Sequence, residues 1–148
     1  MAKPIFILNG PNLNLLGVRE PHIYGSATLE DAQTVARSRA AALGETIEFR
    51  QTNHEGVLVD WVQAARAAGA AVLINPAGLS FRSIPLLDAL KTIEQPVIEV
   101  HITNIHRREA LYQHSVTANG ATGVICGLGP LGYELALRAL AQHMSAPT

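Results

Sequence analysis

Glu99 and His101 stand two residues apart at the end of an apolar run that begins near Pro96. Residues two apart on an extended strand point to the same side, so the carboxylate and the imidazole are expected to face one another. A carboxylate beside an imidazole holds one ring tautomer and makes the other nitrogen more basic, which suits a general acid. A surface ion pair at a strand end is the other interpretation, and only the remaining loops decide between the two.

Two asparagines follow other predicted strands. Asn12 lies in the asparagine-rich loop 9–14, where Asn9 and Asn14 are interpreted as turn residues because asparagine tolerates unusual backbone angles. Asn75 follows the third strand, where a side-chain amide could form hydrogen bonds with polar atoms of a substrate. For Asn12 and Asn75, a role in a turn and a role in a binding site explain the sequence equally well.

The segment 17–25 carries Arg19 and Tyr24. It is long for a connection in an α/β protein, and long ordered loops in compact domains often close over ligands. Tyrosine has an ordinary pKa of about 10, and a neighbouring guanidinium favours the phenolate. Lowering that pKa by ~2 units requires roughly 3 kcal/mol, which a closed and poorly hydrated site can supply. The alternative is an exposed aromatic ring beside a solvated arginine.

The composition limits the class of protein. The 148 residues fit one domain, predicted over 1–144 with a flexible tail at 145–148. A net charge of −1 without a basic run argues against nucleic acid as a partner. The single cysteine, Cys126, excludes an internal disulfide, and no apolar stretch approaches the ~20 residues of a membrane span. The start of the chain leads straight into a strand, so a cytoplasmic protein without a signal peptide is expected.

Apolar runs alternate with segments of helical periodicity along the whole chain. The predicted strands are 5–8, 46–51, 70–75, 96–100 and 123–126, and the predicted helices are 28–43, 56–68, 83–93 and 131–143, with a helix-capable segment near 107–114. Apolar strands that alternate with helices indicate a parallel sheet covered on both faces. Five strands suit a flavodoxin-like, doubly wound sheet of order 2-1-3-4-5, whose strand ends would gather the polar loops at one edge.

A glycine-rich segment, 127–132, matches the G-x-G-x-x-G pattern of dinucleotide-binding proteins. That pattern belongs to the first strand–helix unit and needs an acidic residue about 20 positions later. Only 16 residues follow Gly132, and none beyond Glu134 is acidic. A tight turn before the last helix is therefore the preferred interpretation, and a flavodoxin-like nucleotide binder is kept as a rival hypothesis.

Taken together, these loops resemble type II 3-dehydroquinate dehydratase. The matching segments are 8–17, Arg19 with Tyr24 and Gly25, 51–56, 74–77, 99–104 and 123–133. The resemblance implies a flavodoxin-like fold, trimers assembled into a dodecamer, and no metal or organic cofactor. It also implies a hydro-lyase that removes water from 3-dehydroquinate by anti elimination and forms 3-dehydroshikimate through an enolate, in the shikimate pathway or in quinate catabolism.

The resemblance further implies a role for each site residue. Tyr24 would remove the C2 proton, with Arg19 lowering its pKa. His101, oriented by Glu99, would protonate the departing C1 hydroxyl, while Asn12 would hold a water that stabilises the enolate oxygen. The carboxylate side of the substrate would be held by Asn75 and the backbone amides of Ile102 and Thr103.

Two positions depart from the pattern of the family. Members usually carry histidine where Phe81 stands and arginine where Tyr112 stands. Both positions serve the ring hydroxyls at C4 and C5, together with Asp88 from a neighbouring subunit, which is kept. The catalytic set is therefore complete while substrate recognition is altered, and Arg82 in the neighbouring turn is the candidate for a replacement donor. The alternative function is a divergent paralogue with altered substrate or weak activity, acting as a ligand-binding or assembly protein.

Overall fold

The described residues form five strands and five α-helices, with two helices between the first and second strands and only short 3-10 turns between the fourth and fifth. The computed structural model describes residues 3–18 and 20–145, so Arg19 and the tail residues 146–148 lie outside the described residues. The strands are β1 Ile5–Asn9, β2 Ile47–Gln51, β3 Val72–Asn75, β4 Val97–His101 and β5 Gly123–Cys126, and the helices are α1 Pro21–Tyr24, α2 Leu29–Ala42, α3 Glu55–Ala68, α4 Ile84–Leu90 and α5 Leu131–Ser145.

The five strands form one parallel sheet of order β2-β1-β3-β4-β5, as the alternation of strands and helices predicts. β1 lies between β2 and β3, so the chain reverses its winding direction there. Every residue of β1, β3 and β4 is buried. Strands that are buried on both faces consist mostly of apolar residues, which is why these three could be predicted from the sequence, even though β4 also carries Glu99 and His101.

The helices cover both faces of the sheet. Buried side chains of α2 and α5 pack on one face, including Ala36 and Leu137, and those of α3 and α4 pack on the other, including Leu58 and Leu86. With both faces covered, the loops at the carboxyl ends of the strands become the part of the molecule where a ligand is expected to bind. Among the described residues, no helix has the length and apolar character needed to cross a membrane.

The predicted start of α2 is confirmed in detail. The Thr28 hydroxyl accepts a hydrogen bond from the Asp31 backbone N–H at 3.1 Å, and the Asp31 carboxylate accepts one from the Thr28 N–H at 3.0 Å. These reciprocal bonds satisfy two backbone donors that a helix start leaves without partners. Ser83 caps α4 in a similar way, because its hydroxyl accepts from the Leu86 N–H at 3.0 Å.

Other expectations are corrected. The segment near 107–114 is not an α-helix but two short 3-10 turns, Ile105–Arg107 and Ala110–Tyr112. α5 continues to Ser145, so the residue expected to begin the flexible tail is the last residue of a helix. Cys126 is partly buried on β5, an edge strand of the sheet.

Candidate active site

A cavity of about 230 Å³ opens at the carboxyl ends of β1, β3 and β4. Its walls come from the loops that follow these strands and from the connection between β4 and β5. The lining residues are Pro11, Asn12, Leu13, Asn75, Ala77, Gly78, Phe81, His101, Ile102, Thr103, Ile105, Arg108 and Tyr112. Seven residues singled out in the sequence are thus brought to one cavity: Asn12, Asn75, Phe81, His101, Ile102, Thr103 and Tyr112.

Glu99 lies behind His101, away from the cavity. The carboxylate Oε2 atom is 2.8 Å from His101 Nε2 and 2.6 Å from the Ser115 hydroxyl, and Oε1 accepts a hydrogen bond from the Thr117 hydroxyl. Glu99 has no exposed surface and His101 only 5%. The predicted pairing of these two residues is therefore a buried, fully hydrogen-bonded arrangement and not a surface ion pair.

This arrangement determines which ring nitrogen of His101 bonds to Glu99 and which can exchange a proton. A carboxylate that accepts from two hydroxyls is acting as an acceptor only, so the bond to His101 is donated by the Nε2–H of the ring. Nδ1 is then the nitrogen left to exchange a proton with a molecule in the cavity. Glu99 thus fixes both the tautomer and the plane of the His101 ring, as a carboxylate partner does in other acid–base sites.

The corner at Ile102 and Thr103 is held by the glycine-rich turn. The N–H of Gly127 donates to the His101 carbonyl at 3.2 Å, and the N–H of Gly129 donates to the Ile102 carbonyl at 3.0 Å. Gly127 has φ +90° and leaves no room for a Cβ, which would lie 2.9 Å from the Asn104 Cβ. The segment that matches a dinucleotide fingerprint is therefore a tight turn that supports the cavity. A tight turn before the last helix is what the sequence predicted.

The loops after β1 and β3 approach each other closely at Gly10. Its N–H donates to the Asn75 carbonyl at 2.8 Å, and a Cβ at this position would lie 2.4 Å from the Pro76 carbonyl oxygen. Two residues of these loops, Asn12 (φ 69°) and Ala77 (φ 53°), adopt the left-handed conformation without being glycine. Such backbone strain is characteristic of residues held in place for a function.

One wall of the cavity is aromatic. The Phe81 ring lies 6.1 Å from the His101 ring and 5.5 Å from the Tyr112 ring, which it meets edge to face. The Arg108 guanidinium lies over the Tyr112 ring, 4.2 Å from its centre. Arg82, considered as a replacement donor, is exposed and is not among the lining residues.

The structure describes only part of the segment that carries Tyr24, the predicted base, and Arg19, its predicted activator. Arg19 lies outside the described residues, and for Tyr24 the structure describes the backbone, at the end of α1, but not the side chain. A second recess is lined by His22 and Gly25 on either side of Tyr24 and shares Ile102 and Thr103 with the cavity. The segment that carries Tyr24 therefore lies beside the cavity.

Asp88 is exposed on α4 and does not line the cavity of its own protomer. Sequence reasoning placed it in the site of a neighbouring subunit, and that placement stays a prediction. Reasoning from sequence missed Ser115 and Thr117, which hold Glu99, and Arg108, which lines the cavity. Their hydroxyls and guanidinium lie in an irregular connection that carries no periodic pattern, so only proximity in three dimensions identifies them.

Comparison with known proteins agrees with this picture. The family described as "Dehydroquinase class II" matches residues 3–141. A protein named 3-dehydroquinate dehydratase from Chelativorans sp. is 52% identical over 145 residues, which are 97% of this chain and 100% of that protein. One of the same name from Caulobacter vibrioides is 54% identical over 139 residues, covering 94% of this chain and 95% of that protein. The crystal structure of the type II dehydroquinase from Propionibacterium acnes superposes with a TM-score of 0.93 at 46% identity, covering 96% of this chain and 98% of that chain.

Proposed function

The chain belongs to the class II dehydroquinase family, and on that basis we propose that it is a 3-dehydroquinate dehydratase, a hydro-lyase. The reaction is the anti elimination of water from 3-dehydroquinate to give 3-dehydroshikimate through an enolate. The observation that carries the proposal is the buried Glu99–His101 pair, with its hydroxyl donors, at the wall of a cavity large enough for a small cyclic acid. A ketone-activated proton requires a base, a stabiliser for the enolate oxygen and an acid at the leaving group.

In the proposed mechanism, Tyr24 acts as a phenolate that takes the C2 proton, and the electrons of the C–H bond move into the enolate. Arg19 lowers the pKa of Tyr24 by placing a positive charge beside it. Asn12 holds a water molecule that donates a hydrogen bond to the enolate oxygen. The support for these roles is the position of Asn12 in the cavity and of the Tyr24 segment beside it.

The second half of the reaction uses His101. The enolate re-forms the ketone, the C1–C2 double bond forms, and the C1–O bond breaks as the His101 ring delivers a proton to the hydroxyl, which leaves as water. Asn75 and the backbone amides of Ile102 and Thr103 hold the substrate carboxylate. His101 delivers this proton as the imidazolium: Nε2–H stays bonded to Glu99, and the proton that is transferred comes from Nδ1.

The aromatic wall favours a second candidate function. Phe81 and Tyr112 offer one hydroxyl and two ring faces where the family usually offers histidine and arginine, so the C4 and C5 hydroxyls of 3-dehydroquinate lose donors. This favours a divergent paralogue that accepts 3-dehydroquinate poorly, or prefers a ring that is less polar at C4 or C5. The cation of Arg108 lies over the Tyr112 ring on that wall, 4.2 Å from the ring centre.

We further propose that the protein forms trimers assembled into a dodecamer, in which Asp88 reaches a neighbouring site. Several large apolar side chains are exposed on the protomer, including Val18 (77%), Leu111 (64%) and Ile84, which lies on the same helix as Asp88. Exposed apolar surface of this kind is typical of a surface that subunits cover. A cytoplasmic location and a place in the shikimate pathway or in quinate catabolism complete the proposal.

The deciding experiment is incubation of the folded protein with 3-dehydroquinate while the ultraviolet absorbance of the conjugated enone is followed. The expected result is an absorbance rise that the variant His101→Ala abolishes. No rise with the parent protein would contradict the dehydratase function. A rise that survives His101→Ala would contradict the role of His101 as the acid.

A further inference from the structure

A line of hydrogen bonds runs from β2 across β1 to the cavity wall. Asn9 Nδ2 donates to the Arg50 carbonyl at 3.0 Å, and the Tyr133 hydroxyl donates to Asn9 Oδ1 at 2.6 Å. Asn75 Nδ2 donates to the Tyr133 oxygen at 3.1 Å, and the Ala77 N–H donates to Asn75 Oδ1 at 3.1 Å. Asn9, Asn75 and Tyr133 are all at least 98% buried, so water does not compete for these bonds.

The groups at the two ends of this line of hydrogen bonds determine which atom donates and which accepts in each bond. The Arg50 carbonyl can only accept, so Asn9 must turn its nitrogen toward it and its oxygen toward Tyr133. The Ala77 backbone N–H can only donate, so Asn75 must turn its oxygen toward it. The Tyr133 hydroxyl fits between the two amides because it donates one hydrogen to Asn9 and accepts one from Asn75.

One donor remains after these bonds are counted. The amide nitrogen of Asn75 carries two hydrogens, and Tyr133 takes only one of them. Asn75 also lines the cavity. The second N–H is therefore the donor that Asn75 can offer there, while its oxygen is turned toward the Ala77 N–H.

We propose that Tyr133 is a positioning residue, which holds the Asn75 amide so that it presents an N–H, and never its oxygen, to the carboxylate of the substrate. The inference rests on the proposed function. Burial raises the pKa of the Tyr133 phenol, while the hydrogen bond from Asn75 acts to lower it, so the group stays protonated and serves as a fixed donor and acceptor. Tyr133 thus differs in kind from Tyr24, whose proposed task requires loss of its proton.

The test is Tyr133→Phe, which keeps the ring and removes the hydroxyl. The bond from the amide to the substrate carboxylate involves a charged group, so partial loss of its alignment should raise KM for 3-dehydroquinate about tenfold. The contact is made equally in the ground state and the transition state, so kcat should change by less than about threefold. A KM that stays within twofold of the parent value would overturn the proposal.

A double-mutant cycle with Asn75→Ala separates positioning from general weakening of the core. If Tyr133 acts through Asn75, Tyr133→Phe should raise KM no further when Asn75 is already alanine, whereas independent effects would multiply. Leu140→Ala, a truncation in the buried face of α5, is the matched control for lost stability and should leave KM unchanged. Multiplying effects, or an equal rise in KM for Leu140→Ala, would overturn the proposal.

A second variant replaces Tyr133→Phe if that variant does not fold, and the parent protein serves as the check on the proposed function. Should Tyr133→Phe yield no folded protein, Asn9→Ser, which shortens the acceptor of the same hydroxyl, is measured in its place and judged by the same criteria. Failure of the proposed function is recognised separately, because the parent protein itself would then not turn over 3-dehydroquinate.

Discussion

The Nε2 atom of His101 lies 2.8 Å from a carboxylate oxygen of Glu99, and Ser115 contacts the same oxygen at 2.6 Å. One buried oxygen therefore accepts from an imidazole and from a hydroxyl at once, while Thr117 occupies the other oxygen. Burying a carboxylate is costly unless its oxygens are hydrogen-bonded, and here both are. His101, the proposed acid, is thus held by a carboxylate that is itself held by Ser115 and Thr117.

Glu99→Gln should lower kcat for 3-dehydroquinate by about a hundredfold or more, because general acid–base catalysis contributes roughly 10²–10⁴-fold. The amide keeps the shape but cannot accept from His101 and both hydroxyls together. KM should change little, since Glu99 does not line the cavity. Ser115→Ala is the matched control and should cost less, because the carboxylate keeps its charge and two donors. Equal losses of kcat in the two variants would contradict the assigned role of the charge.

Tyr24→Phe should abolish turnover while leaving ligand binding and assembly nearly intact. The hydroxyl is the proposed base, whereas the ring supplies contact area alone. Steady-state rates with 3-dehydroquinate, together with calorimetric binding of a competitive inhibitor, separate the two effects. Substantial residual turnover would mean that the C2 proton leaves by another route.

Phe81→His combined with Tyr112→Arg should lower KM for 3-dehydroquinate. The double replacement restores two donors, and hydrogen bonds contribute about 0.5–1.5 kcal/mol each, or about 1.5–3 kcal/mol when a charged group takes part. The removed rings now contact one another at 5.5 Å, so the two substitutions belong together and the single variants are the controls. A parent of ordinary efficiency that gains nothing from the double replacement would make the two aromatics neutral substitutions.

The free energy of unfolding should fall as the pH rises above about 10, the ordinary pKa of tyrosine. Burial raises the pKa of Tyr133 in the folded protein, so the unfolded chain loses this proton first. The stabilisation is fully present below the unfolded pKa and is lost as the pH rises toward the folded value, by up to about 1.4 kcal/mol for each pH unit. Urea unfolding at pH 8 and pH 11 measures it, and Tyr133→Phe should show a smaller difference than the parent. Identical differences would contradict the raised pKa.

Light scattering should give a mass many times that of the 15.8 kDa protomer. Ile84 is half exposed next to the Asp88 turn of α4, and Ile84→Glu should reduce the mass by placing a charge in the proposed contact. Thr34→Glu, on the exposed side of α2, is the matched control. A monomeric parent would contradict both the assembly and the shared role of Asp88.

The sequence predicted the sheet correctly because three of its strands are buried on both faces and are largely apolar, although Glu99 and His101 interrupt the apolar run of β4. The start of α2 was equally visible, since Thr28 and Asp31 cap it through local bonds. The two sides of α4 were harder to separate: Leu87, three residues after the half-exposed Ile84, is only 8% exposed and is buried within the protomer. A short helix of seven residues gives too little periodicity to separate its two sides.

Part of the site could not be read from the sequence. Asn9, interpreted as a turn residue, is buried and bonds to Tyr133, which lies 124 positions away along the chain. Ser115 and Thr117 reach Glu99 across 16 and 18 positions. Hydrogen bonds between residues so far apart in the sequence depend on how whole helices and strands pack. The spacing of residues along the chain therefore does not predict them.

The connection between β4 and β5 carries Tyr112, which forms part of the aromatic wall. It also carries Ser115 and Thr117, whose hydroxyls donate hydrogen bonds to Glu99. Replacing the whole connection with that of a relative, to change which ring the cavity accepts, would therefore also remove the two hydroxyls that hold Glu99. A replacement that ends at Tyr112 would keep Ser115 and Thr117, whereas one that continues past Ser115 would not. The boundary for redesign thus falls within three residues of the chain.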